Sequence, residues 1–160
     1  MGFTARMGFI DRQREVYAQM GAYMQSLLVP GEVMYGVIVA NQQKTFSADL
    51  YLVATTDRRI IMQPVDRKWQ ATGAPLSFGP NEISNTSVWG WAHDAASRTE
   101  KVATFLTASG DRIKFEAGGE KWKLMTLGGS FLENALADDS QLNGLNSFIS
   151  FLAAADPRGR

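Results

Sequence analysis

The 160-residue chain has no cysteine and a single histidine. The first absence removes disulfides, thiolate metal sites and cysteine nucleophiles together, and it accords with a reducing, cytoplasmic setting. The second leaves any Ser-His-Asp triad or multi-histidine metal centre to be built around His93 alone. His93-Asp94 falls in a polar stretch and reads as surface. Ser130 lacks the flanking pattern of a nucleophile elbow, and Gly118-Gly119 and Gly128-Gly129 lack the Lys and Ser/Thr of a phosphate-binding loop. Asp138-Asp139 reads as a pair of dipole partners at a helix start. The expectation is therefore no enzyme, and no metal or cofactor.

An excess of either charge is also missing. Sixteen Lys and Arg balance sixteen Asp and Glu, and the two signs are mixed evenly along the chain, so nucleic acid is not an expected partner. No apolar run reaches the length of a membrane-spanning helix, and the amino terminus lacks the basic-then-apolar order of a signal peptide. A myristoylation pattern fails at Arg6, where Ser or Thr is needed.

What is present is organised around Leu50 to Met62, LYLVATTDRRIIM. Apolar and β-branched residues fill both arms, and Thr56-Asp57 interrupts them with turn chemistry, which predicts a β-hairpin. Upstream, Val33 to Ala40 predicts a first strand, with Asn41 to Ser47 as a polar connection. Downstream, Ile60 to Val65 completes the hairpin. Leu76 to Phe78 and Glu82 to Val88 read as short strands around the turn Gly79-Pro80-Asn81. Lys101 to Thr107 is expected to pair with Arg112 to Glu116 across Ser109-Gly110-Asp111, giving about seven strands.

Helical spacing appears at both ends. From Asp11 to Leu28 the stripe Val16, Met20, Tyr23, Met24 and Leu27 predicts an amphipathic helix that Pro30-Gly31 ends. Such a helix either packs on its own domain or docks a partner or a second copy. Leu142, Leu145, Phe148, Ile149 and Leu152 predict a carboxy-terminal helix. Helical signals are read again after Gly118-Gly119: Lys121 to Leu127 is ambiguous, and Ser130 with Glu133 forms a capping box for Phe131 to Leu136. The expected organisation is a helical extension over 1–30, one domain over 31–155, and a disordered tail over 156–160.

One cluster carries candidate binding chemistry. Arg58 and Arg59 stand at the hairpin, Arg67, Lys68 and Trp69 follow the next strand, and Trp89 and Trp91 share one side of an extended segment. Arginine offers a planar fork and tryptophan a stacking face to an acidic or phosphorylated ligand.

The run Leu27-Leu28-Val29-Pro30-Gly31-Glu32, then the hairpin with its Thr56-Asp57-Arg58-Arg59 corner, then Asn81-Glu82-Ile83-Ser84, resembles the bacterial pleckstrin-homology-like domains and the related GRAM domains. The resemblance implies a strongly bent antiparallel sheet of seven strands, closed at one end by the carboxy-terminal helix. Lipid-binding members place several basic residues in the loop joining the first two strands; here that loop offers only Lys44. What the resemblance then implies is a non-enzymatic interaction or assembly module that contacts protein partners or itself, with weak contact to an anionic lipid headgroup as the alternative.

Overall fold

The computed structural model describes residues 15, 18–43, 48–89, 112–126 and 140–156. Among them, seven strands form one antiparallel sheet in the order β4-β3-β2-β1-β7-β6-β5. The strands are β1 (Met34–Gln43), β2 (Ala48–Thr56), β3 (Ile60–Val65), β4 (Leu76–Phe78), β5 (Ser84–Trp89), β6 (Arg112–Ala117) and β7 (Glu120–Thr126). A helix over residues 18–26, α1, and a second over Ser140–Ala155, α2, flank the sheet. A mainly β architecture of seven antiparallel strands with a helix towards each end is what the sequence led us to expect, and it is consistent with a pleckstrin-homology-like fold.

The central hairpin is apolar on both faces because both faces are covered. Strand alternation sends Tyr51 and Val53 of β2 and Ile60 and Met62 of β3 into one core, with Leu145, Phe148 and Leu152 of α2. It sends Leu52, Ala54, Ile61 and Val65 into a second core on the opposite face, under Met20 and Met24 of α1. A strand buried on both sides reads as a continuous apolar run rather than an alternating one, which is how LYLVAT reads. By contrast β6 alternates, with Ile113, Phe115 and Ala117 inside and Arg112 and Lys114 outside.

The first core centres on Trp122, an aromatic that sequence reading passed over. It stacks on Phe115 at 6.2 Å and 16°, meets Tyr51 edge-on at 5.6 Å, and donates Nε1–H to the Ala117 carbonyl at 3.2 Å. That bond satisfies its only polar atom. The helix α2 lies close on β1 because residue 144 is glycine: a Cβ there would stand 2.7 Å from the Val37 carbonyl oxygen.

Three expectations are settled or corrected by the structure. First, the segment from Lys121, ambiguous in the sequence, is strand as far as Thr126: Trp122 and Leu124 alternate with Lys121 and Lys123 in β7. Gly118-Gly119 is the two-residue turn of the β6–β7 hairpin, with φ of +63° and +79° that suit glycine. Second, Arg112 to Glu116 does not pair with Lys101 to Thr107, because β6 has β5 on one side and β7 on the other. Residues 101–107 themselves, and the helix expected over Phe131 to Leu136, lie outside the described residues. Third, Asn41 to Gln43 continue β1 instead of forming a connection, and Gln42 extends the short β1–β7 ladder with its side chain. Its Nε2 donates to the Lys121 carbonyl at 3.3 Å, and its Oε1 accepts from the Lys123 amide at 2.8 Å.

Candidate functional site

The end of β2 carries two adjacent threonines whose side chains serve opposite faces. Thr56 belongs to the junction between α1 and β1. There the segment Val29-Pro30-Gly31-Glu32 turns back on itself, with the Glu32 amide donating to the Val29 carbonyl at 3.1 Å and Gly31 at a φ of +84°. Proline followed by glycine is the sequence such a turn asks for. The turn delivers the Glu32 carboxylate, fully buried, to Arg59. The guanidinium is bidentate: Nε donates to Oε2 at 2.8 Å and Nη2 to Oε1 at 2.9 Å. Nη2 also donates to the Leu27 carbonyl at 3.2 Å, tying the end of α1 to the hairpin.

Thr56 completes the junction. Its hydroxyl donates to Glu32 Oε2 at 2.7 Å and accepts from the Arg58 and Arg59 amides at 3.1 Å each. The Val29 amide donates to Glu32 Oε1 at 3.1 Å. With so many donors upon it, the carboxylate is held well below its ordinary range. Its pKa falls from 4.5 to about 2, chiefly through the Arg59 hydrogen bonds and against the opposing effect of burial. Asp57 closes the other side, accepting from the Val33 amide through Oδ1 at 3.0 Å while its own amide donates to the Val33 carbonyl at 3.0 Å.

Thr55 faces the α2 side. Met34 pairs with Thr56 and Gly36 with Thr55, so Tyr35 is an extra residue in β1, a β-bulge. Tyr35, Thr55, Thr56 and Asp57 line one wall of a cleft of about 410 Å³; Asn146, Ser147, Ser150 and Phe151 of α2 line the other. Tyr35 is 56% exposed, whereas Thr55 is 2% exposed and its Oγ1 has no hydrogen-bond partner among the described residues. Nothing in the sequence distinguishes this threonine from its neighbour; only the bulge and the position of α2 do.

The basic and aromatic residues singled out from sequence do not converge. Arg59 is committed to Glu32. Arg58 projects to solvent, 3.8 Å from Asp57 Oδ2. Arg67 lines a separate cleft of about 740 Å³ with two acids, Asp49 and Asp66. Lys68 and Trp69 line a third, of about 400 Å³, with Met20 and Tyr23 of α1. Asp66 shapes that last loop by accepting from the Lys68 and Gln70 amides through Oδ1 at 2.8 and 3.0 Å. The Trp89 backbone ends β5, but its side chain and all of Trp91 lie outside the described residues, as does His93.

Of the helix stripe, Val16 lies outside the described residues, and Met20 and Met24 are buried in the second core. Leu27 packs at that core's margin, and Tyr23 is exposed, donating its hydroxyl to Gln63 Oε1 at 3.1 Å. Among the described residues, no group of three or more His, Cys, Asp or Glu side chains is arranged to hold a metal ion, and no helix is long and apolar enough to cross a membrane.

No protein-family model matches the sequence, and no curated protein matches it significantly. Among solved structures the chain is similar to the hSac2 domain from human phosphoinositide phosphatase Sac2. The two are 9% identical over 89% of this chain and 81% of that one, with a TM-score of 0.47. A likeness at that level says nothing of activity or ligand.

Proposed function

We propose that this chain is a non-enzymatic module of the bacterial pleckstrin-homology-like kind that works through protein contacts and associates with itself. The observation that supports this reading is where its exposed apolar side chains fall. Of the five large ones exposed among the described residues, Val29, Val33 and Tyr35 lie within seven residues of one another, at the α1–β1 junction. Apolar side chains gathered on a firmly braced loop form the kind of surface a partner covers. A second copy fits because the chain carries a net charge of zero, so copies meet without mutual repulsion.

Light scattering across a wide concentration range tests it. The expected result is a mass that rises above the monomer with concentration and returns toward the monomer in a Val29→Glu, Val33→Glu double variant. A strict monomer at every concentration defeats the self-association reading.

A second reading, binding of an anionic lipid headgroup, is favoured by Lys68 beside Trp69 and Tyr23 in one cleft. Against it stands the scatter of Arg58, Arg59 and Arg67. Flotation with anionic liposomes at low salt separates the two readings: protein that floats, and that stops floating in Lys68→Ala, selects the lipid.

A further inference from the structure

We infer that the outer face of the β6–β7 hairpin docks an extended acidic segment of a partner protein, one with Asp or Glu at alternate positions. Strand alternation sends Ile113, Phe115, Trp122 and Leu124 into the first core and leaves Arg112, Lys114, Lys121 and Lys123 exposed on the opposite face. The helix α1 covers that side of the sheet over β1, β2 and β3, but no residue of β6 or β7 enters the core beneath it. One part of the face is therefore apolar and covered. The other is basic and, among the described residues, exposed.

The fold does not answer these charges. The register sets Lys114 directly opposite Lys123, with Arg112 two residues before Lys114 on β6 and Lys121 two residues before Lys123 on β7. Like charges directly opposite destabilise a strand pair. The ion pairs among the described residues are Arg58–Asp57 and Arg59–Glu32, so none of the four cations has one. Lys121 stands opposite Glu116, yet that carboxylate accepts from Asn85 Nδ2. Glu120, at the turn, falls on the alternation of Trp122 and Leu124. The hairpin thus carries a repulsion with no structural return, and a partner of opposite sign would relieve it.

Spacing narrows the partner. Alternate residues of a strand repeat at roughly 6.7 Å, which is the interval from Arg112 to Lys114 and from Lys121 to Lys123. An extended peptide with an acid at every second residue repeats at the same interval, so successive carboxylates meet successive cations. The strip is also short, because Glu116 stands on the same face and closes one end. A continuous phosphate backbone would run onto that carboxylate, and the chain's net charge of zero supplies no field to gather a nucleic acid. A bilayer fits less well for another reason. The large apolar side chains exposed among the described residues are Tyr23, Val29, Val33, Tyr35 and Leu76, all on other elements, so no apolar anchor backs the four charges. This surface is separate from the α1–β1 junction, and a monomer in light scattering leaves it standing.

Two capped peptides of equal composition test it, Glu-Thr-Glu-Thr-Glu and Thr-Glu-Glu-Glu-Thr, each titrated into the full chain and followed by amide chemical shifts. The alternating peptide is expected to shift Arg112, Lys114, Lys121 and Lys123, to bind about threefold more tightly than the block peptide, and to weaken about fivefold on going from low salt to about 0.3 M. Lys114→Glu should weaken it by about tenfold while raising the thermal midpoint by roughly 2 °C, since repulsion with Lys123 becomes attraction. A purely structural lysine would not give that pairing. Lys123→Glu carries the same two expectations should the first variant fail to fold. The inference is overturned if the alternating peptide shifts none of the four residues, if the block peptide binds as well, if an oligothymidylate or phosphatidylserine vesicles bind this face more tightly than the peptide, or if both variants bind the peptide as the wild type does.

Discussion

Thr55 and Thr56 are consecutive, identical and both buried, yet the regions they serve are opposites. On the Thr56 side every polar atom of a buried carboxylate is answered: a bidentate arginine, a hydroxyl and a backbone amide converge on Glu32. On the Thr55 side a buried hydroxyl has no answer among the described residues. The saturated region joins helix, turn and hairpin into one body. The unsaturated one carries the desolvation cost of a buried hydroxyl that no partner among the described residues offsets. Equal burial therefore does not mean equal contribution to stability; completeness of pairing decides it.

The largest effect that sharpens this contrast belongs to Arg59. Arg59→Ala leaves the Glu32 carboxylate buried without its cation, and a broken buried pair costs about 3 to 5 kcal/mol. Urea denaturation should show a loss of that size. Replacing both partners with apolar residues, Glu32→Leu with Arg59→Met, should cost much less than Arg59→Ala, because no stranded charge remains. If the double variant is the worse of the two, the junction stabilises through packing rather than through the charge pair.

Acid should reveal the same pair from the other side. Glu32 titrates at about 2 in the folded chain against an ordinary 4.5. A depressed carboxylate contributes stability that is complete above pH 4.5 and lost as pH falls toward 2, on the order of 3 kcal/mol for a depression of this size. Glu32→Gln has no such proton to take up. The stability gap between wild type and Glu32→Gln, measured at a series of pH values, should therefore be widest at neutral pH and close through that acid window. A gap that stays constant would place the acid sensitivity elsewhere.

How much of this was readable beforehand follows from distance along the chain. The hairpin was legible because its signals are local: alternation in the arms and turn chemistry at Thr56-Asp57. So was α2, whose stripe lies on one helix. The role of Arg59 was not, since its partner lies 27 residues upstream, and an arginine at a turn looks the same whether it meets solvent or a buried acid. The nearest available signal was the acid in Pro30-Gly31-Glu32, placed just before the first strand. The strand β7 was missed for a different reason. Its Lys-Trp-Lys-Leu alternation was present, but helical signals on the residues that follow competed with it and left the segment ambiguous, and Gly118-Gly119 carries no turn-specific side chain to mark it as a hairpin. The bulge at Tyr35 leaves no mark in sequence, and with it the cleft was hidden.

Thr56→Val tests the saturated side with one isosteric change. It removes a donor from Glu32 and an acceptor from the Arg58 and Arg59 amides. Leaving buried groups unpaired costs about 1 to 3 kcal/mol, so the denaturation midpoint should fall clearly while Arg59 still holds the carboxylate. The acid window of Glu32 should also move upward, because one of the hydrogen bonds that lower its pKa is gone.

The smallest effect, and the one of opposite sign, belongs to the other threonine. Thr55→Val has the same shape and the same burial as Thr56→Val, but it breaks no hydrogen bond recorded among the described residues. Exchanging an unanswered hydroxyl for a methyl group removes a desolvation cost without creating a cavity, so stability should rise by about 1 kcal/mol. Measured side by side in urea, the two valine variants should bracket the wild type, Thr56→Val below and Thr55→Val above. If Thr55→Val also falls, its hydroxyl is answered in solution by something bound tightly enough to count as part of the fold. The two sides of β2 would then be equally saturated, and the contrast between them would disappear.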